Sequence, residues 1–144
     1  MAEAKVREVA DGVAELFLPL PMRPTIINVY LVRGGSGSAL IDTGMHTSDS
    51  AATFRAALAE IGIAPTAIDR IVSTHHHVDH YGASGPYREL TRAEVCLHPL
   101  EAERAAASRV ALLVVLLVED SRRGRHPLRV ARPDHAATAR AVMV

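Results

Sequence analysis

Three stretches of this sequence predict an α/β (α+β) fold on a mixed sheet that is mainly antiparallel at its start. Two apolar runs, 26–32 and 39–41, flank Gly34-Gly35-Ser36-Gly37-Ser38, a flexible turn that joins them as a hairpin. Thr47 or Ser48 then caps a helix in which Phe54, Ala57, Leu58 and Ile61 recur at helical spacing. A short strand over 70–73 follows and delivers Thr74-His75-His76-His77-Val78-Asp79-His80 at its C-terminal end, where layered α/β folds place their ligand sites.

The other elements follow in chain order. Residues 6–18 carry alternation broken at Asp11-Gly12, a turn signal, and Val13, Leu16 and Leu18 read as strand. Pro19, Pro21 and Pro24 make a stiff connector to the hairpin. The strand at 39–41 ends in Asp42-Thr43-Gly44, where an aspartate before glycine can serve as a plain turn residue. Gly62 closes the helix, and Pro65-Thr66-Ala67-Ile68-Asp69 connects it to the next strand. Gly82 lets the backbone turn sharply after His80. A short helix is expected over 83–90 despite Gly85-Pro86, then a strand over 93–97. An Ala- and Glu-rich helix is expected over 100–108, with Pro99 near its first turn.

From residue 109 the text changes character. The apolar block 110–118 reads equally as a buried strand or the end of a buried helix, since periodicity does not separate them. A polar turn over 119–124, a strand over 127–131 and the loop Arg132-Pro133-Asp134-His135 come next.

The histidine cluster carries the chemistry. It reads His-x-His-x-Asp-His. In an extended segment alternate side chains share a face, so His75 and His77 address one point. A turn at Val78-Asp79 swings Asp79 and His80 toward a second point. Two imidazoles on one side, with a carboxylate and an imidazole on the other, suit a pair of zinc-class ions. So much nitrogen disfavours calcium. A purification tag is a terminal homopolymer, whereas this run lies mid-chain behind a strand and contains an aspartate. His76 and Val78 point away in this arrangement and take no role. His46 reads as a surface residue, His98 as structural, and Cys96, in Val95-Cys96-Leu97, as a buried core residue.

Composition bounds the rest. The chain has 144 residues, enough for a single domain over 1–144, with 49% apolar and 22% charged residues. There is no Trp, and with three Tyr and two Phe the core must be aliphatic. Net charge is zero and the pI is near 7.1, so nothing argues globally for nucleic acid or a membrane, and a small-molecule substrate is expected. The five arginines Arg122, Arg123, Arg125, Arg129 and Arg132 read as a solvated face. One cysteine allows no intrachain disulfide. The first residues hold no signal-peptide core, and the apolar block of nine residues is short of the roughly 20 a membrane span needs. A reducing cytoplasm fits these features. Neither a Gly-rich phosphate loop nor a Ser-x-x-Lys or Gly-x-Ser-x-Gly motif is present.

Thr-His-x-His-x-Asp-His after a strand resembles the metal-binding signature of the metallo-β-lactamase fold superfamily. Asn28-Val29-Tyr30-Leu31-Val32 and Leu40-Ile41-Asp42-Thr43-Gly44 resemble its opening strands. The likeness runs from about residue 6 to residue 100, with the glyoxalase II-like hydrolases as the nearest flavour. It implies a metallo-hydrolase of αβ/βα sandwich fold using one or two zinc ions, with Fe or Mn as other occupants. His75 and His77 would hold the first ion, with His135 as a third ligand. Asp79 and His80 would hold the second, and Asp79 would also orient or deprotonate the attacking water. Asp42 would be a buried carboxylate orienting the metal loop. The bond cleaved would be of ester, thioester or lactone type. A metal-binding fragment without catalysis and a nuclease or phosphodiesterase of the same fold are the alternatives.

The likeness fades in the atypical region 109–144. Pro133 and His135 match a Pro-Gly-His-Thr type loop, but Asp134 replaces its glycine. The bridging carboxylate and final histidine implied by the family have no counterpart, since no Asp, Glu or His follows His135. The chain is therefore expected to supply the first half of the sandwich and part of the second. It should bind at most one zinc tightly, show little hydrolysis alone, and self-associate through an uncovered sheet face.

Overall fold

In a computed structural model of the protein, residues 5–108 are described. The features expected beyond them, namely the apolar block 110–118, the strand over 127–131 and the loop carrying His135, lie outside the described residues.

The alternation over 6–18 resolves into two strands. β1 (Val6–Ala10) and β2 (Val13–Pro19) pair antiparallel across Asp11-Gly12. Gly12 has φ +71°, and a Cβ there would sit 2.6 Å from the Arg33 carbonyl oxygen, so this turn requires glycine. β3 (Ile26–Gly34) and β4 (Gly37–Ile41) form the expected hairpin. α1 (Ser48–Glu60) then crosses to β5 (Arg70–Ser73), which pairs parallel to β4. A helical turn α2 (Val78–Tyr81) and the helix α3 (Ser84–Thr91) lead to β6 (Glu94–Leu97), parallel to β5. α4 (Pro99–Ala107) follows. The six strands lie in chain order, so the sheet is antiparallel through β4 and parallel from there.

Burial explains this arrangement. Ala14, Leu16 and Leu18 of β2, Ile27, Val29 and Leu31 of β3, Leu40 of β4 and Ile71 of β5 form one apolar face. Phe54, Ala57 and Leu58 of α1 and Tyr87 of α3 cover it, and Phe54 stacks on Tyr87 with ring centroids 4.1 Å apart. Thr47 caps α1 through a hydrogen bond from the Ser50 amide at 3.1 Å, and Gly62 takes the left-handed conformation just past its end.

The opposite face is more polar. Register places Arg7, Glu15, Asn28 and Tyr30 side by side on it. Glu15 is buried there and accepts hydrogen bonds from Arg7, from Asn28 Nδ2 at 2.9 Å and from Tyr30 Oη at 2.9 Å. Val72 and Cys96 lie further along the same face. Cys96, expected in the core, is only half-buried, because strand alternation turns it away from the helices.

Candidate metal centre

The metal loop leaves β5 at Ser73 and enters α2 at Val78, so the turn expected at Val78-Asp79 is a helical one with His77 at its N-cap. Parallel pairing puts the end of β4 beside the end of β5, and Asp42 meets the loop there. Asp42 has φ +62°, a left-handed conformation that aspartate tolerates better than most residues. Its carboxylate accepts from the Thr74 amide at 2.8 Å, from Thr74 Oγ1 at 2.9 Å and from His80 Nδ1 at 2.8 Å.

These bonds settle two imidazole tautomers. The Thr74 hydroxyl spends its one proton on Asp42, so it accepts from His75 Nδ1–H, 3.0 Å away. His75 Nε2 is left with its lone pair. His80 likewise gives its Nδ1 proton to Asp42 and keeps an Nε2 lone pair. Burial first, then the neighbouring His80 and His77 rings, push the His75 pKa below its ordinary value, which favours the neutral ring a metal requires.

The ligand-type atoms gather in two pairs. His75 Nε2 lies 3.1 Å from His77 Nδ1, and His80 Nε2 lies 3.6 Å from Asp79 Oδ2. The edge of a tetrahedron with metal–nitrogen bonds of ~2.05 Å is about 3.3 Å, so each pair has the spacing of two ligands on one ion. The His75 and His80 ring centroids are 4.2 Å apart, which sets the pairs side by side. Among the described residues no three His, Cys, Asp or Glu side chains converge as a complete ligand set. The donor chemistry thus fits nitrogen-rich zinc-class ions with two ligands per pair. His135, the third ligand expected for the first pair, lies outside the described residues.

Two anchors have no counterpart in the sequence reading. The Thr43 amide and Oγ1 both donate to the His80 carbonyl oxygen, at 2.8 and 2.9 Å, and fasten the backbone behind that ring. The tripeptide Asp42-Thr43-Gly44 is their signal. Glu101, on α4, accepts from the His76 amide at 3.0 Å and pairs with His76 Nδ1 at 2.6 Å. His76, given no role from the sequence, is anchored by this carboxylate, with its ring 4.9 Å from that of His77. Separation along the chain hides this contact. His98 is structural as expected: its Nδ1 accepts from the Leu100 amide at 3.3 Å and caps α4. His46 is half-buried and lines a groove between α1 and α3 with Arg55 and Tyr87.

A family model described as the metallo-beta-lactamase superfamily matches residues 22–141. The chain belongs to that superfamily. Over 72 residues it is 35% identical to a protein named "Probable metallo-hydrolase YqjP" from Bacillus subtilis (strain 168), a match that covers 50% of this chain and 22% of that protein. Among solved structures it resembles a metallo-beta-lactamase family protein from Thermus thermophilus, with 36% identity and a TM-score of 0.60 over 64% of this chain and 30% of that one. It also shares its fold with a beta-lactamase domain protein from Burkholderia ambifaria, at 24% identity and a TM-score of 0.62 over 74% of this chain and 36% of that one. The chain thus spans between about a fifth and about a third of the length of these relatives. As in its solved relatives, the mixed six-stranded sheet with helices is a metallo-β-lactamase fold.

Proposed function

We propose that this member of the metallo-β-lactamase superfamily is a zinc-dependent hydrolase acting on an ester, thioester or lactone-type bond. The observation that carries the reading is the pair of ligand pairs, His75 with His77 and Asp79 with His80, at 3.1 and 3.6 Å. An ion held there would lower the pKa of water to roughly 7 and polarise the scissile carbonyl oxygen. His75 and His77, once His77 gives up the proton it shares with His75 Nε2, would hold one ion, and Asp79 and His80 would hold the other. His135 is assigned to the first ion as its third protein ligand. Asp79, half-buried at the cluster's edge, orients the attacking water and takes its proton. Asp42 holds His80 directly and His75 through the Thr74 hydroxyl, so neither ring has to reorient to bind. A small-molecule substrate fits a chain with no strong net charge, and a cytoplasmic setting fits the single cysteine.

The test is metal content. Untagged protein should carry zinc by elemental analysis, and a His77→Ala plus Asp79→Ala double variant should lose most of it. Equal zinc in both proteins overturns the reading. Turnover of a generic thioester and a lactone, set against a phosphodiester, then assigns the bond class.

A further inference from the structure

His76 sits between the two ligands of the first pair, and a residue of another element determines where it goes. Glu101 is the third residue of α4, whose start is fixed by Pro99 and by the His98 cap. One oxygen, Oε2, accepts the His76 amide at 3.0 Å and pairs with His76 Nδ1 at 2.6 Å. Arg104, one turn further along α4, grips the other oxygen. The carboxylate is largely shielded, with 14% of the Glu101 side chain exposed against 21% for His76. Hydrogen bonds from the His76 ring and amide hold its pKa down at about 2, so it is charged at any working pH.

We propose that Glu101 is a positioning residue for the metal loop: it fixes the His76 backbone between His75 and His77 and keeps the His76 ring out of the ligand set. This rests on the metal-binding reading of His75 and His77. Three consecutive imidazoles are an ambiguous ligand run, because a slack loop can offer the middle ring in place of an outer one. The rings of His76 and His77 already lie 4.9 Å apart. His76 Nε2 keeps its lone pair, so what removes that choice is placement: the ring cannot swing toward the first pair without breaking both the amide and the Nδ1 bond to Glu101. Ligands need placement within about 0.5 Å, which a free loop does not provide.

The experiment uses the full chain with cobalt as the probe. Glu101→Ala should weaken cobalt binding by about tenfold or more and change its visible absorption bands, which report the ligand set. Glu101→Gln keeps an acceptor for the amide and should recover most of the affinity. Adding His76→Ala to Glu101→Ala should restore the wild-type bands, since the competing ring is gone. Unchanged affinity and bands in Glu101→Ala, with the wild type binding cobalt, overturn the proposal. Amide exchange in metal-free protein gives a second readout. The His76 amide should be protected in the wild type and exposed in Glu101→Ala, and an unprotected wild-type amide also overturns the tether. A wild type that binds no cobalt refutes the metal reading and, with it, the ligand-set half of this proposal, while amide exchange still decides the tether.

Discussion

Asp42 shows how much one side chain can organise. A carboxylate has two oxygens and about four acceptor sites, and Asp42 uses them on the Thr74 amide, the Thr74 hydroxyl and His80 Nδ1. Through Thr74 it also sets the tautomer of His75. Asparagine at this position keeps the shape but offers a single acceptor oxygen and turns an NH2 group toward donors. Asp42→Asn should therefore lower zinc affinity by about 10- to 100-fold, read by competition with a coloured chelator. Unchanged affinity would reduce Asp42 to the plain turn residue that Asp-Thr-Gly equally permits. The sequence places this aspartate at a strand end. Its reach to residues 74 and 80 follows from the parallel pairing of β4 with β5, which local pattern does not encode.

Among the elements, α1 and α3 hold the sheet that presents the loop. Phe54 is fully buried and stacks on Tyr87 at 4.1 Å, so it joins the two helices as well as packing on β2. Phe54→Ala should cost about 3–5 kcal/mol in denaturant unfolding, and Phe54→Leu clearly less, because leucine refills part of the cavity. Equal losses would mean that ring stacking, not volume, is what the site needs. The apolar stripe Phe54, Ala57, Leu58 is readable from periodicity alone, since only one face of a helix can meet a sheet. α3 is readable as a helix at 83–90 and runs over Ser84–Thr91, a shift of one residue. The separation of β1 from β2 does not emerge as a strand count, although its turn signal at Asp11-Gly12 is plain.

For the whole molecule, the sheet's second face matters as much as its first. Glu15 of β2 brings Arg7 of β1 and Asn28 and Tyr30 of β3 onto one buried carboxylate and so pins the register of these three strands. Burial works to raise its pKa, but hydrogen bonds from Tyr30, Arg7 and Asn28 outweigh that, and the net shift is downward. A lowered carboxylate pKa means stability present above the ordinary value of 4.5 and lost as pH falls through the folded one. Wild type should exceed Glu15→Gln in unfolding free energy at neutral pH, and the gap should close as the pH drops below 4.5. A gap that stays constant from neutral to acid pH would show that the charge is not what holds the network. The family fold is present in the described residues.

Residue order alone established the family signature, the hairpin, the first helix and the identity of the ligand-type side chains. Each of these is a local property: strand alternation, helical period and the His-x-His-x-Asp-His spacing all act within a few residues. The anchors of the site are not local. Asp42 grips a loop 32 residues away, Thr43 a carbonyl 37 away, and Glu101 an amide 25 away. No period or motif connects such positions, because what joins them is the pairing of β4, β5 and β6 and the packing of α4 beyond them. The sequence thus names the ligand-type side chains, while the parallel half of the sheet brings Asp42 against them and sets which nitrogen carries the proton in His75 and His80.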